Sequence, residues 1–361
     1  MRYLLAILVA FMTVAVLTPL ISKLAMRLGV VDVPSEPRKI HKNSTPLLGG
    51  LAIYLGFMAV LWCIALATPH LLATSIKLKH LIGISLGGAV LMVGGYLDDR
   101  YRLKPSRQIW FPIVAALIVI LSGIGIRMVT NPFGGTISLV WWERVLFWWQ
   151  GVAYRITLPA DLFTFVWMMA MMYTTKLLDG LDGLVSGLTV IGSAMIMLLA
   201  IVTRFYQPEV GILAAIASGA FLGFLIFNFH PAKIFLGEGG SLFAGFILGT
   251  LAVISGGKIA TALLVLGIPF LDMLWVILRR IFWDRKLPSI GDSGHLHFRL
   301  LRAGFSQRKA VVMLWIIAIS FGATTLFFQS TQKLIALGIL VLVMVGLGGW
   351  LVTRYRNFRA Q

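Results

Sequence analysis

Hydrophobic positions in this chain fall in long continuous stretches, separated by short segments that carry nearly all the charge. The stretches lie near residues 3–22, 47–68, 81–97, 108–126, 161–176, 183–203, 210–229, 239–256, 258–278, 310–328 and 332–353. A helix needs about 20 apolar residues to cross a bilayer, whereas a barrel strand shows an alternation over about ten. These runs do not alternate, so they predict an all-α polytopic membrane protein of about eleven transmembrane helices, ten if one run falls short. The first stretch has an apolar core longer than the roughly 7–15 residues of a signal-peptide h-region, with no A-x-A site after it, and is expected to be retained. No fixed-period repeat or low-complexity linker breaks the pattern, and 1–361 reads as one integral-membrane domain.

Composition narrows this further. Apolar residues make up 59% and charged residues only 12%, against about 25% charged in soluble domains. That excludes a soluble enzyme, a disordered chain and a disulfide-stapled domain. The single cysteine, Cys63, excludes an internal disulfide and a cysteine-rich metal site. Charge then sets orientation: 31 Lys and Arg stand against 13 Asp and Glu. The loops after odd-numbered runs, with the C-terminal tail, hold 22 of the basic residues and the other side nine. Lys and Arg concentrate in cytoplasmic loops, so the N-terminus is expected outside and the C-terminus in the cytoplasm. Most of the basic excess is thereby topological. Arg354, Arg356 and Arg359 suit attraction to anionic lipid, and nucleic acid is not an expected partner.

The acids are more informative. Ten of the 13 fall on the cytoplasmic side: Asp32, Glu36, Asp98, Asp99, Asp179, Asp182, Glu238, Asp272, Asp284 and Asp292. The orientation rule does not govern acids, so carboxylates gathered among cationic loops point to a site for a metal ion and an anionic substrate. Outward lies the longest such loop, 127–160, where NPFGGTISL predicts a turn with a short strand. Trp141, Trp142, Trp148 and Trp149 of WWERVLFWWQ suit an anchor at the headgroup level.

Five segments on the cytoplasmic side could carry chemistry. LDDR places Asp98 and Asp99 at the end of the third run, about 100° apart if helical, able to meet a metal and a substrate separately or simply to balance Arg100 and Arg102. KLLDGLDGLVSG spaces Asp179 and Asp182 on one helical face, with glycines that allow close approach; Asp182 also suits a helix N-terminus. In FNFHPAKIFLGEGGSLFAGF, Asn228 and His230 end one run, and the glycine-rich turn around Glu238 opens the next, exposing N–H groups to an anion. GDSGHLHFRL offers His295, His297 and Arg299, better suited to phosphate oxygens than to a closed zinc site. RKIHKNSTPLLGG places Arg38, Lys39, His41 and Lys42 before the second run, where flanking charge alone explains them.

With these segments in order over about residues 30–310, the sequence resembles the polyprenyl-phosphate N-acetylhexosamine-1-phosphate transferases. The GHLHFRLL form is more like the undecaprenyl-phosphate GlcNAc-1-phosphate branch than the phospho-MurNAc-pentapeptide branch. The resemblance implies Mg²⁺-dependent transfer, with Mn²⁺ as a substitute, of sugar-1-phosphate from a UDP-N-acetylhexosamine to polyprenyl phosphate at the cytoplasmic face of a bacterial plasma membrane. It implies catalytic roles for Asp98, Asp99 and Asp182, and metal ligation by Glu238, Asp99 and Asp182. Substrate would meet Lys42, Lys176, Asp179, Asn228, Phe235, His295, His297 and Arg299. The active-site loops would be 98–107, 176–183, 230–241 and 279–309, in a chain able to form a homodimer. Three positions depart from the family pattern: Arg102 stands where a third acid is usual, Lys176 where Asn is, and Glu238 where Asp is. A transporter of a polyprenyl-linked anion is a rival reading, disfavoured because the run centres are nearly free of the ionisable groups that transporters place at the midplane. An inactive lipid-binding relative is the other, motivated by the departures.

Overall fold

The computed structural model describes all residues except 34–43, 73–75, 132–134, 150–151, 203–205, 257–258, 281, 283–294, 329 and 360–361. The apolar runs are helical. They form α1 (Arg2–Leu28), α2 (Gly49–Ala67), α3 (Leu78–Tyr101), α5 (Trp110–Leu121), α6 (Ala160–Leu178), α7 (Leu184–Val202), α8 (Pro208–Asn228) and α9 (Gly237–Ile254). After these come α10 (Ile259–Val265), α11 (Gly267–Arg279), α13 (Gln307–Phe327) and α14 (Ser330–Arg359). Two short helices, α4 (Pro105–Gln108) and α12 (Leu296–Arg302), lie in connections. Among the described residues, eight helices are long and apolar enough to cross a membrane, or nine with one bent pair taken as a single span. The chain is thus a polytopic, mostly helical membrane protein.

Two runs depart from the expected continuous spans. The run at 258–278 is broken into α10 and α11, which meet at 82°. Leu266 leaves helical geometry between them, and Pro269, in the first turn of α11, has no N–H to continue the preceding helix. The run at 108–126 forms only the 12-residue α5, about 18 Å long at 1.5 Å per residue. It stops at Ser122 and Gly123, the latter with φ 90°.

The middle of the bundle is α9, packed against α6, α3, α2 and α7. A helix apolar on all sides is an interior helix, and α9 is buried from Gly239 to Val253. Its glycines bring backbones together: a Cβ on Gly95 of α3 would lie 2.2 Å from Gly239 N, and one on Gly50 of α2 would lie 2.3 Å from Gly240 N. Rings fill the remaining space, with Tyr54 and Phe57 edge-on to Phe243.

Strands are confined to connections. β1 (Val31–Asp32) pairs antiparallel with β2 (Thr45–Pro46), β3 (Met128–Thr130) with β4 (Thr136–Ser138), and β5 (Val140–Trp149) with β6 (Val152–Pro159). The tryptophan-rich stretch, expected only as an anchor after one short strand, is therefore one arm of a long hairpin. Trp141, Trp142 and Trp148 are exposed on it, and Arg155 pairs with Glu143 across the ladder at 3.2 Å.

Candidate functional site

The connections that follow α1, α3, α6, α8 and α11 converge at one end of the bundle. Phe235 N–H donates to Pro46 O and Gly49 N–H to Phe235 O, joining the α8–α9 turn to the entry of α2. The other joints are made by the candidate residues themselves.

Asp98 and Asp99 occupy the last turn of α3 and point to different partners. Asp98 Oδ1 accepts from Leu103 N–H at 2.8 Å and from Gln108 Nε2 at 2.6 Å. It thereby fixes the turn in which Arg102 takes a left-handed φ of 50°. Asp99 accepts from Glu238 N–H at 3.2 Å to each oxygen. A helix leaves its first N–H groups unpaired unless a side chain accepts from them, and α9 has no side-chain cap of its own. Asp99 is therefore a cap delivered from another helix. Gly237 makes room for it: with φ 72°, a Cβ there would lie 2.4 Å from Asp99 Oδ2 and 2.3 Å from Leu47 O.

The Glu238 side chain turns the other way and forms an ion pair with Lys176 of α6. Lys176 Nζ also donates to Gln108 Oε1 at 3.2 Å and lies 5.6 Å from the Tyr173 ring centroid. A closed ring results: Asp98, Gln108, Lys176, Glu238 and, through its backbone N–H, Asp99. Two of the three departures from the family pattern, Lys176 and Glu238, are thus partners.

The DGLDG turn is pinned to the α8–α9 turn. Asp182 Oδ2 lies 2.7 Å from His230 Nδ1 and accepts from Ala232 N–H at 3.2 Å. Arg308 of α13 donates to His230 O at 2.9 Å. Asn228 is buried; its Oδ1 accepts from Gly183 N–H and Ser186 Oγ, and its Nδ2 donates to Ile234 O. Its amide oxygen and one N–H are committed to holding the two turns together. Phe235 is half-buried beside it. Asp179 is an exposed residue, and its carboxyl is raised above the ordinary range by desolvation, then by the charges of Glu238 and Asp182.

The α12 segment closes this side. His295 Nδ1 lies 2.8 Å from Asp272 Oδ2, and Asp272 Oδ1 accepts from Leu296 N–H at 3.0 Å. Both side chains are buried. His297 stacks on His295 with ring centroids 5.6 Å apart. It abuts Gly180, where a Cβ would lie 2.5 Å from His297 Nε2. Among the described residues neither ring nitrogen of His297 has a hydrogen-bond partner, and burial lowers its pKa to about 4, so the ring is neutral at pH 7. Arg299 is partly buried on the same helix, and Lys42 lies outside the described residues.

Among the described residues, no three His, Cys, Asp or Glu side chains form a metal-ligand cluster. The expected trio is divided: Asp99 and Glu238 meet at the start of α9, while Asp182 is held by His230. Mg²⁺, however, needs only one or two carboxylates beside substrate phosphates. Asp98, Asp99, Asp179 and Glu238 lie within electrostatic reach of one another, with Lys176 paired to one of them. Four acids beside one paired lysine suit an added cation.

An apolar pocket of about 330 Å³ opens beside Asp99. Its walls come from Leu24 and Leu28 of α1 and Val93 and Tyr96 of α3, its floor from Gly95 and Gly239, and among the described residues Asp99 is the one charged residue lining it.

Three site residues were not singled out from the sequence. Gln108 gives no signal. His230 sits in a quoted segment without an assigned role. Asp272, an acid within an apolar run, carries the mark of an intramembrane ionisable group, a functional candidate by default.

Polar connections carrying carboxylates, a lysine and histidines thus meet at one end of an apolar helical bundle. The chain belongs to glycosyl transferase family 4, whose sequence profile matches residues 81–256. It is similar to a probable undecaprenyl-phosphate N-acetylglucosaminyl 1-phosphate transferase of Bacillus subtilis, 30% identical over 95% of this chain and 90% of the relative. It is 31% identical to the decaprenyl-phosphate N-acetylglucosaminephosphotransferase of Mycolicibacterium smegmatis, over 89% of this chain and 82% of that protein. The phospho-N-acetylmuramoyl-pentapeptide-transferase of Halalkalibacterium halodurans is 26% identical, over 90% and 97%.

Proposed function

We propose that this chain transfers N-acetylglucosamine-1-phosphate from a UDP-sugar to polyprenyl phosphate, releasing UMP. The observation that carries the reading is the closed ring from Asp98 to Asp99 through Gln108, Lys176 and Glu238, set beside an apolar pocket. A polyprenyl phosphate needs both surfaces at once. The relatives named for N-acetylglucosamine transfer are more similar than the pentapeptide transferase, which favours that sugar.

An oxygen of the lipid phosphate attacks the β-phosphorus of the UDP-sugar. The bond from that phosphorus to the bridging oxygen breaks, and UMP leaves with the electron pair. Such transfers depend on positioning and charge neutralisation. A monoalkyl phosphate with a second pKa of about 6, by analogy with phosphoserine, is mostly dianionic at pH 7. It needs orientation more than deprotonation. Asp98, spent on Leu103 N–H and Gln108, serves by fixing Gln108 and through it Lys176. Lys176 offsets negative charge on the phosphates. Mg²⁺, or Mn²⁺ in its place, would be held by Asp99 and Glu238 with Asp179 beside them, and would neutralise charge on the diphosphate oxygens. His295, His297 and Arg299 would close the sugar-nucleotide side.

The bias of 22 basic residues against nine supports a site facing the cytoplasm of a bacterial plasma membrane, with the N-terminus outside. The test is UMP release by detergent-solubilised protein given Mg²⁺, polyprenyl phosphate and a panel of UDP-N-acetylhexosamines. UDP-N-acetylglucosamine should give the fastest release, and Asp98→Asn and Glu238→Gln should each lower it at least tenfold. Silence with every UDP-sugar would sink the proposal.

A further inference from the structure

The Lys176–Glu238 pair is fixed in its backbones and adjustable only in its side chains. Gly245 lets α6 and α9 touch about two turns along α9 from Glu238: a Cβ there would lie 2.3 Å from Met171 O and 2.5 Å from Thr175 Oγ1. The Lys176 backbone is thereby held beside the acids, and what can move is the four-carbon stem with its ammonium. That ammonium has three N–H donors. One goes to Glu238 and one to Gln108 Oε1 at 3.2 Å. The side chain is 20% exposed, which leaves an approach for a third acceptor. Glu238 is committed twice: its N–H donates to Asp99 and its carboxylate accepts from Lys176. A divalent cation assigned to Glu238 would meet the ammonium at the same group. Mg²⁺ demands near-ideal octahedral geometry and gives up water reluctantly, and an ammonium bonded to its ligand repels it at close range.

We propose that Lys176 and the divalent cation compete for Glu238, and that the sugar nucleotide decides the competition by drawing the ammonium onto its diphosphate; the inference rests on the UDP-sugar and the metal proposed above. Without nucleotide, Lys176 is the counter-ion of Glu238 and the protein holds the metal weakly. With nucleotide, a rotation of the lysine side chain moves the ammonium to phosphate oxygens, and the freed carboxylate receives the metal. No covalent bond changes and no proton moves; the step exchanges one ion pair for two others. The coupling is reciprocal: nucleotide raises metal affinity by the same factor as metal raises nucleotide affinity. A lysine at this position makes the metal site conditional on substrate, where a neutral side chain would leave Glu238 open to the ion at all times.

Mn²⁺ binding to detergent-solubilised protein, read from the loss of the free-ion electron paramagnetic resonance signal, tests this without turnover. The acceptor lipid is left out, and Mn²⁺ binding by UDP-N-acetylglucosamine alone is measured in protein-free samples. In nucleotide-free protein, Lys176→Met should bind Mn²⁺ at least fivefold more tightly than wild type. Lys176→Gln, which keeps a donor for Glu238 without the charge, should do the same, and Lys176→Arg should stay within twofold of wild type. Lys104→Met, which removes an exposed charge at the same end, is the control and should also stay within twofold. UDP-N-acetylglucosamine should tighten Mn²⁺ binding at least fivefold more in wild type than in Lys176→Met. A lysine that only supports the fold predicts the opposite sign, because its loss would loosen the site. Unchanged or weaker Mn²⁺ binding in both neutral variants, or a gain of equal size in Lys176→Arg or Lys104→Met, overturns the proposal. Absence of Mn²⁺ binding in every form, with and without nucleotide, overturns it together with the metal. If Mn²⁺ binds and no UDP-sugar supports UMP release, the functional reading falls by itself, and the nucleotide-free titrations still decide the competition.

Discussion

Lys176 and Glu238 illustrate how far single residues could be read. Each stood out in sequence as an unusual residue in a recognisable segment, 62 positions apart; that they face each other is visible only in three dimensions. Each compensates the other: side chains 20% and 15% exposed form a charge-assisted bond, worth about 1.5–3 kcal/mol. Lys176→Met leaves Glu238 without its partner, and Glu238→Gln leaves Lys176 facing an amide. Each should lower kcat/KM at least tenfold, and the double variant should be no worse than either single one. Independent, multiplying losses would show that the two do not act as a unit. Gln108, which completes the ring, was illegible because an amide between Arg107 and an apolar run looks like any helix-end polar residue. Asp179 makes a pH prediction. Its folded pKa is raised, so the folded protein holds the proton more tightly than the unfolded chain, whose value is about 3.9. Stability therefore falls as pH rises above that value towards the raised one. The thermal midpoint of detergent-solubilised protein should decline between pH 5 and 8 less steeply in Asp179→Asn than in wild type. Parallel slopes would remove Asp179 as the cause.

At the scale of elements, the helices were legible because continuous apolar runs have little else to become in a bilayer. Their interruptions were not. A glycine and a proline within an apolar run are common to straight, kinked and broken spans, so the 82° turn between α10 and α11 had no distinctive mark. The tryptophan-rich hairpin was missed for a different reason: alternation is masked where both faces of β5 carry aromatic residues. The broken span has work to do. It places Asp272 where its two oxygens reach His295 and the N–H of Leu296, orienting α12 towards the DGLDG turn. Asp272 is thus a positioning residue. Asp272→Asn should raise KM for the UDP-sugar at least fivefold with little change in KM for polyprenyl phosphate, and Asp272→Glu should recover part of it. An equal change in both constants would indicate a general loss of structure.

Across the whole molecule, one end gathers most of the acids and the other carries the β3–β4 and β5–β6 hairpins, a polarity the charge count anticipated because loop charges are read independently of packing. The single cysteine makes the orientation easy to check. In a Cys63→Ala background, a cysteine at Lys104 should react with an impermeant maleimide only in inverted vesicles, and one at Ile137 only in right-side-out vesicles. The opposite pattern would reverse the assignment. The cap that Asp99 lends to α9 has a consequence in time. The ribosome adds roughly 5–20 residues per second, and 139 residues separate Asp99 from Glu238, so the acceptor of that bond waits about 7–28 s for its donor. Through that interval α3 holds a carboxylate with no helix end to receive it. The site is therefore finished by the late arrival of α9, and a nascent chain stopped before residue 237 holds half of the machinery with its anchoring bond unmade.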